Sequence, residues 1–239
     1  LFIDADESIK KGLINSLIDR MEKGNLALLS VFTNQIMKTI GEKLTVPLMH
    51  FILLNLLPMR LVKFSENPAF AAASGQCMFF KASRYRDNQW HMQVKHMVVE
   101  DVEIMKLVKQ RKYHAEALLA NNLIYCRMYK NLNESLSGFS KNLLAGFGNN
   151  ILILLFYQLL VVIGPVILCL NFNADLLVLP ITLIVLSRLM ISYLSGQNVL
   201  INLILHPLQM LFFLIISLIS IQKHILKKGT WKGRTIKAI

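Results

Sequence analysis

The chain has 239 residues, of which 54% are hydrophobic and 17% are charged. This composition is too apolar for an ordinary soluble domain, and the first half is too charged for a bundle of membrane helices alone. The net charge of +12, with basic residues flanking apolar segments and no interleaving of aromatic and basic residues, favours anionic lipid headgroups over nucleic acid as the partner.

The composition changes near Asn149-Asn150, which predicts two parts. Almost all acidic residues lie in residues 1–149, where we expect an α/β region of domain size. Residues 150–239 are nearly continuous hydrocarbon followed by a basic tail, which predicts a transmembrane region. The chain begins at Leu1 inside an apolar run and has no signal-peptide pattern, so we expect a fragment whose N-terminal portion is missing.

The apolar periodicity of the first part predicts a series of short elements. In chain order they are a buried strand at 1–3, a helix at 9–21 that ends at Gly24, a strand at 26–32, a strand within 69–80 that follows small residues, a helix that begins near Glu100, and a strand pair or a strand with a loop at 118–127. A strand–helix alternation of this kind is typical of an α/β fold.

Two further segments of the first part are predicted to lie in the membrane interface. Residues 44–62 approach the length of a membrane span, but Pro47, His50, Pro58 and Arg60 interrupt them. We therefore favour a helix in the interface over one that crosses. Apolar residues repeat every three or four positions across residues 131–147, which predicts an amphipathic helix on the membrane surface.

Three membrane spans are predicted in the second part. Residues 151–170 are free of charge, and residues 176–194 carry only Arg188. Residues 199–221 contain His206-Pro207 and form either a kinked span or a broken, partly re-entrant one. Three spans after a cytoplasmic first part would put the basic tail outside, against the positive-inside rule. Either one segment is not a full span or residues 44–62 cross as well.

The acidic residues Asp4 and Asp6 follow the first apolar run directly. Alternate residues of an extended strand face the same side, so both carboxylates can face one hard divalent cation, which prefers oxygen ligands and can clamp a diphosphate. The alternative is a solvated turn after a strand, where Asp is common. The position after an apolar run favours the cation site.

The pair Glu100-Asp101 precedes the helical pattern of Val102, Met105 and Val108. A carboxylate here can act as the base that takes the proton of an attacking hydroxyl group. The alternative is helix capping by acidic residues in the first turn. Together with Asp4 and Asp6, the pair favours the catalytic interpretation.

Several basic residues are candidates for binding a diphosphate or lipid headgroups. They are Arg84, Arg127, Lys141, Lys232 and Arg234. His91 can contact an acceptor or the diphosphate, although a lone histidine is more often structural. The sequence has no phosphate-binding P-loop, dinucleotide fingerprint, zinc-peptidase motif or serine-hydrolase elbow. These absences argue against those four enzyme classes.

The order of the motifs resembles the membrane-anchored inverting glycosyltransferases of family 2, which have a GT-A fold, and within them the branch associated with carotenoids and hopanoids. The resemblance spans nearly the whole chain. The motifs that carry it are Phe2-Ile3-Asp4-Ala5-Asp6, Glu42-Lys43-Leu44 with Pro47, Gly75-Gln76-Cys77-Met78, Val98-Val99-Glu100-Asp101-Val102, Arg127-Met128-Tyr129, Gly138-Phe139-Ser140-Lys141-Asn142, His206-Pro207 and Trp231-Lys232-Gly233-Arg234.

The resemblance implies a fold and a set of roles. The first part is expected to be the C-terminal portion of a GT-A, Rossmann-like domain. Asp4 and Asp6 match the Asp-x-Asp that binds Mg²⁺ or Mn²⁺ and the nucleotide diphosphate, and Asp101 matches the catalytic base. Gly75 and Gln76 are expected beside the donor sugar and the acceptor, where Glu100, His91, Arg127 and Lys141 complete the substrate-binding set.

Two departures from the family pattern bear on the product. Gln89-Trp90-His91 replaces the usual Gly-Gly-His, so only His91 carries over, and the Gln-x-x-Arg-Trp of processive synthases is absent. We therefore expect transfer of one sugar from a nucleotide-diphospho-sugar to a lipid or isoprenoid acceptor by an integral membrane enzyme that faces the cytoplasm. The alternatives are a subunit of a polysaccharide synthase and a membrane protein without catalytic activity.

Overall fold

The computed structural model describes residues 1–171, 174–226, 230–231 and 234–235. The strands are β1 Phe2–Ile3, β2 Glu7–Ile9, β3 Leu28–Phe32, β4 Asn34–Gln35, β5 Cys77–Phe80, β6 Ala115–Leu119, β7 Ile124–Cys126, β8 Thr230–Trp231 and β9 Arg234–Thr235. The α-helices are α1 Leu13–Lys23, α2 Ile40–Thr45, α3 Pro47–Leu56, α4 Arg60–Phe64, α5 Ala82–Asn88, α6 Trp90–Val94, α7 Glu100–Gln110, α8 Leu132–Gly146, α9 Ile151–Gln158, α10 Gly164–Asn171, α11 Ala174–Leu194, α12 Val199–Ile204 and α13 His206–Ile225. A 3₁₀-helix covers Pro68–Phe70, and a π-helix at Leu159–Ile163 joins α9 to α10.

The fold is mixed α/β and divides into two compact units whose segments alternate along the chain. The first unit consists of Leu1–Ile36, Ile52–Met128 and Leu194–Gly196, and the second of Met37–Phe51, Tyr129–Tyr193 and Gln197–Ile239. The division into residues 1–149 and 150–239 rests on composition and stays a prediction.

The first unit is built on a four-stranded mixed sheet with the order β1-β5-β3-β6. The central strand β3 pairs antiparallel with β5 and parallel with β6, and all five of its residues are buried. Four of the five residues are apolar, which suits a strand covered on both faces, and the buried hydroxyl group of Ser30 forms hydrogen bonds with the backbone of Ser74. Helix α7 packs onto this core through Ile104, Met105 and Val108, which are fully buried. The sheet and α7 therefore fix the two segments that carry Gln76 and Asp101.

A second, smaller sheet of the first unit has the order β2-β7-β4. Strand β7 pairs antiparallel with β2 and parallel with β4, so Cys126 lies opposite Glu7 on one side and opposite Gln35 on the other. Residues 118–127, predicted as a strand pair or a strand with a loop, contain the end of β6 and all of β7, which belong to different sheets and do not pair with each other. Glu7, Cys126 and Gln35 are therefore neighbours across the three strands, an arrangement that the sequence did not predict.

The predicted strand at 1–3 forms, but the prediction that it is buried is wrong. Leu1 is 46% exposed and Phe2 is 43% exposed. The reason is that β1 is an edge strand, which pairs only with β5 in this sheet. Leu1–Ile3 is apolar in sequence, yet an edge position leaves part of it open.

Residues 44–62 do not form one helix. They contribute to three short helices, α2, α3 and α4. Pro47 begins α3, and Pro58 lies between α3 and α4, because proline has no backbone N–H group to continue a preceding helix. The predicted helix at 131–147 is confirmed as α8. A location of these helices in the membrane interface stays a prediction.

Among the described residues, three helices of the second unit are long and apolar enough to cross a membrane. They are Ile151–Asn171, Asp175–Leu194 and His206–Ile225. The third starts at His206 because the helix is interrupted between α12 and α13. Pro207 lies in the first turn of α13, where its missing N–H group is tolerated. The first two predicted spans thus agree with the structure, whereas the third begins after the break.

Candidate functional site

Three segments that the sequence singles out meet beside β1 in the first unit. Ile3 pairs with Cys77, and the N–H group of Asp4 donates to the carbonyl oxygen of Gln76 at 3.3 Å. The N–H group of Gly75 donates to Oδ2 of Asp101 at 2.8 Å. Hydrogen bonds therefore connect the first acidic motif to the second through the Gly75-Gln76 segment.

Asp101 lies in the first turn of α7 and is partly buried. Its second oxygen, Oδ1, accepts a hydrogen bond from the N–H group of Val102 at 2.9 Å. Burial raises the pKa of the carboxyl group, and the hydrogen bonds from Val102 and Gly75 offset part of the rise, while Glu100 adds to it. A fixed carboxylate with a raised pKa is a better base than an exposed one. Its neighbour Glu100 is exposed.

Gln76 is held by side chains from β4 and the residue that joins β3 to β4, and from its own loop. Its Oε1 accepts hydrogen bonds from Oγ1 of Thr33 at 2.9 Å, from Nε2 of Gln35 at 3.2 Å and from Oγ of Ser74 at 3.3 Å. Gln76, Thr33 and Ser74 are all buried. Thr33, Gln35 and Ser74 carried no signal in the sequence, because only the pairing of distant strands brings them to Gln76.

The acidic motif turns instead of continuing as a strand. The N–H group of Glu7 donates to the carbonyl oxygen of Asp4 at 3.2 Å, which closes a turn through Asp6. The alternation that was expected to put Asp4 and Asp6 on one side of a strand therefore does not apply. What the turn brings together is Asp6, Glu7 and Cys126, whose potential ligand atoms lie within 4.8 Å of one another.

The donor set of this cluster fits a hard divalent cation. Both carboxylate oxygens of Glu7 are buried and accept no hydrogen bond of good geometry from the described residues. Asp6 Oδ2 accepts a hydrogen bond from the Cys126 thiol at 3.6 Å. Burial and the neighbouring carboxylates raise the pKa of Cys126, so the sulfur stays protonated and is a poor ligand. The oxygens of Asp6 and Glu7 are the ligands that Mg²⁺ or Mn²⁺ prefers.

Asp4 is exposed and does not belong to this group of three. Its charge nevertheless reaches the cluster, because Asp4 and Asp6 both raise the pKa of Glu7. Glu7 was not predicted from the sequence, although an acidic residue directly after an Asp-x-Asp is a signal that could have indicated it.

Glu7 makes stability depend on pH when no metal is bound. Burial raises its pKa from 4.5 to about 7, and the Cys126 thiol and Thr33 hydroxyl offset part of the rise. Between these values the folded state holds a proton that the unfolded state has lost, so stability falls as the pH rises from about 4.5 to about 7. We expect Glu7→Gln to flatten this fall in thermal unfolding with a chelator present. The exposed Glu66→Gln controls for the lost charge, and a wild-type slope in Glu7→Gln would contradict the assignment.

His91 lies in an aromatic group next to the second acidic motif. Its Nδ1 is 2.9 Å from the hydroxyl oxygen of Tyr85, and its ring centroid is 4.7 Å from that of Phe2. Burial lowers the pKa of His91, and the Glu100 carboxylate opposes this effect. The ring is therefore mostly neutral near pH 7 and can accept or donate one hydrogen bond.

The predicted cations are distributed over both units. Arg127 follows Cys126 directly at the end of β7 and is partly buried, whereas Lys141 lies on α8 of the second unit. Arg84 stacks over the ring of Tyr113, with its Cζ 4.9 Å from the centroid. Lys232 lies outside the described residues.

Comparison with protein-family models, curated proteins and solved structures found no match for this chain. A function must therefore be inferred from the geometry of the site and from the apolar helices.

Proposed function

We propose that the chain is a membrane-bound, metal-dependent inverting glycosyltransferase with a GT-A type catalytic part that faces the cytoplasm. It moves one sugar from a nucleotide-diphospho-sugar to a lipid or isoprenoid acceptor. The observation that carries the proposal is the hydrogen-bonded path from Asp4 through Gln76 and Gly75 to Asp101. A cation-binding acidic turn and a fixed carboxylate base are the two groups that a single displacement needs, and they come from distant parts of the chain.

The roles of the residues follow from this arrangement. Asp6 and Glu7 would hold the cation, with Asp4 beside them, and the cation would supply positive charge that compensates the leaving diphosphate. Asp101 takes the proton of the acceptor hydroxyl group as the hydroxyl oxygen forms the new bond to the anomeric carbon and the bond from that carbon to the diphosphate breaks. The Gly75 N–H group keeps the carboxylate of Asp101 oriented during this step.

Binding of the substrates involves the remaining predicted residues. Glu100 and His91 flank the base and contact the acceptor or the donor sugar, together with the Gly75-Gln76 segment. Arg127 of the first unit supplies positive charge for a diphosphate, and Lys141 of the second unit supplies positive charge for a lipid headgroup. The three apolar helices support an acceptor that resides in the membrane.

A donor-cleavage screen tests the proposal. Membranes that contain the full-length protein would be incubated with Mn²⁺ or Mg²⁺, total lipid and a panel of nucleotide sugars, and release of nucleoside diphosphate would be measured. We expect release from one class of donor, above that of membranes without the protein. A polymeric product would indicate a polysaccharide synthase, and no release from any donor would contradict the proposal.

Removal of the metal should stop turnover. We expect a chelator to abolish release of the nucleoside diphosphate, because without the metal the diphosphate would have to leave without a compensating charge. An excess of Mg²⁺ or Mn²⁺ should restore the release. Asp6→Asn should raise the metal concentration needed for half-maximal rate by about tenfold or more. Asp19→Asn is the matched control, since Asp19 is exposed and pairs with Lys23 on α1. Turnover that is indifferent to the chelator would remove the role of the acidic turn.

A further inference from the structure

A buried polar network joins α11, α12 and α13 in the second unit. The amide nitrogen of Asn202 donates to Oγ of Ser192 at 2.9 Å and to Oε1 of Gln197 at 2.8 Å. Its oxygen accepts from Nε2 of Gln209 at 3.1 Å, and the same Nε2 donates to the carbonyl oxygen of Lys43 at 2.9 Å. The Asn202 amide in this apolar region is thus matched at both ends, as buried polar groups require.

Arg188 lies in the same network. Among the side chains that form the described network, that of Arg188 is the one with a formal charge. The residue is 1% exposed and belongs to the helix 175–194, which is apolar enough to cross a membrane. Its Nε donates to Nδ1 of His206 at 2.7 Å, and its Nη2 donates to Oε1 of Gln209 at 2.7 Å. Its Cζ lies 3.9 Å from the ring centroid of Phe51. An imidazole acceptor, an amide oxygen and an aromatic face are all uncharged partners.

Several N–H donors of the Arg188 guanidinium group have no hydrogen-bond acceptor among the described residues. A guanidinium group has five N–H donors, and these two bonds leave three without an acceptor within the described part of the chain. His206 accepts through Nδ1, so its proton is on Nε2, which also has no acceptor there. No described Asp or Glu forms an ion pair with Arg188. A buried charge without a counter-ion is costly, and in a membrane segment it indicates a functional site.

The depth of Arg188 suits a lipid headgroup. It precedes the end of α11 at Leu194 by six residues, which corresponds to about 9 Å along a helix axis. Residues 195–205, which include α12, then lead to α13, which begins at His206, so both partners lie near the same end of their spans. The helices Asp175–Leu194 and His206–Ile225 have 20 residues each, which corresponds to about 30 Å, the thickness of the hydrocarbon core, so their ends would lie near the headgroups of a bilayer that they cross.

We propose that Arg188 and His206 form a binding site for the oxyanion, phosphate or carboxylate, at the polar end of an amphiphile from the bilayer. The oxyanion accepts hydrogen bonds from the free guanidinium N–H groups and from Nε2 of His206, and it supplies the missing negative charge. The amides of Gln209 and Asn202 hold Arg188 in place. This inference is independent of the glycosyl transfer proposed above.

Binding of dodecyl phosphate to the full chain in dodecyl maltoside, measured by calorimetry, tests the site. We expect saturable binding that is absent with dodecyltrimethylammonium, and much weaker binding of inorganic phosphate, which has no acyl chain. Arg188→Gln should weaken binding of dodecyl phosphate about tenfold or more. Arg86→Gln removes one exposed positive charge in the first unit and should bind like the wild type.

A second variant covers the case in which Arg188→Gln does not fold. Arg188→Lys keeps the positive charge but loses the planar set of donors, and it too should bind dodecyl phosphate more weakly. Wild-type affinity in a folded Arg188→Gln or Arg188→Lys variant would overturn the proposal. Equal affinity of the wild type for inorganic phosphate would overturn the assignment to an amphiphile.

Discussion

Replacement of Asp101 by Asn should abolish sugar transfer while the protein still binds its donor. The amide keeps the size of the carboxylate, and its single oxygen can still accept one of the two hydrogen bonds from Gly75 and Val102, but it cannot take a proton from the acceptor. Loss of a general base costs about 10²- to 10⁴-fold in rate. We expect kcat to fall by that factor with little change in the Kd for the nucleotide sugar.

The control for this variant is Asp87→Asn, which removes an exposed carboxylate on α5 of the same unit. It should turn over like the wild type. A folded Asp101→Asn protein with full activity would refute the assignment of the base, whereas an equal loss of donor binding and rate would indicate that Asp101 holds the donor instead.

Gly41→Ala should destabilise the second unit strongly. A Cβ atom at Gly41 would lie 2.7 Å from Cβ of Leu132, 2.9 Å from its backbone nitrogen and 3.0 Å from its Cα. Backbone atoms cannot rotate away as a side chain can, so α2 and α8 would have to separate. Such overpacking costs about 1–3 kcal/mol, and rigid backbone contacts favour the upper end.

Gly146→Ala is the matched control for this variant. Gly146 is the last residue of α8, and a Cβ there would meet no atom of the described residues within 4 Å, so the gain in helix propensity should leave the stability unchanged or slightly higher. Thermal unfolding of both variants in detergent would measure the difference. Equal melting temperatures for Gly41→Ala and the wild type would mean that α2 and α8 are not packed this closely.

The elements that could be predicted from the sequence are those set by local patterns. Helices α1 and α7 follow from apolar residues at helical spacing, and the spans follow from length and lack of charge. The break before α13 follows from His206-Pro207. The meeting of Asp4, Gln76 and Asp101 was expected only through the family resemblance, because no local pattern states which distant segments pair.

The parts that escaped prediction depend on tertiary contacts. Strands β2 and β4 are two or three residues long, too short for an alternating pattern, so the second sheet and the role of Glu7 could not be predicted. Arg188 looked like one tolerated charge in a span, and only the positions of His206 and Gln209 reveal that its partners are neutral.

One measurement tests the central claim most directly. Purified full-length protein in liposomes of polar lipid extract would be given labelled nucleotide sugar and Mg²⁺ or Mn²⁺, and the label in the organic-extractable fraction would be counted. The site built from Asp6, Glu7, Gly75 and Asp101 predicts label in a small glycolipid that depends on the metal and disappears in Asp101→Asn. No label in lipid from any donor, with a protein that is folded and supplied with both metals, would contradict it.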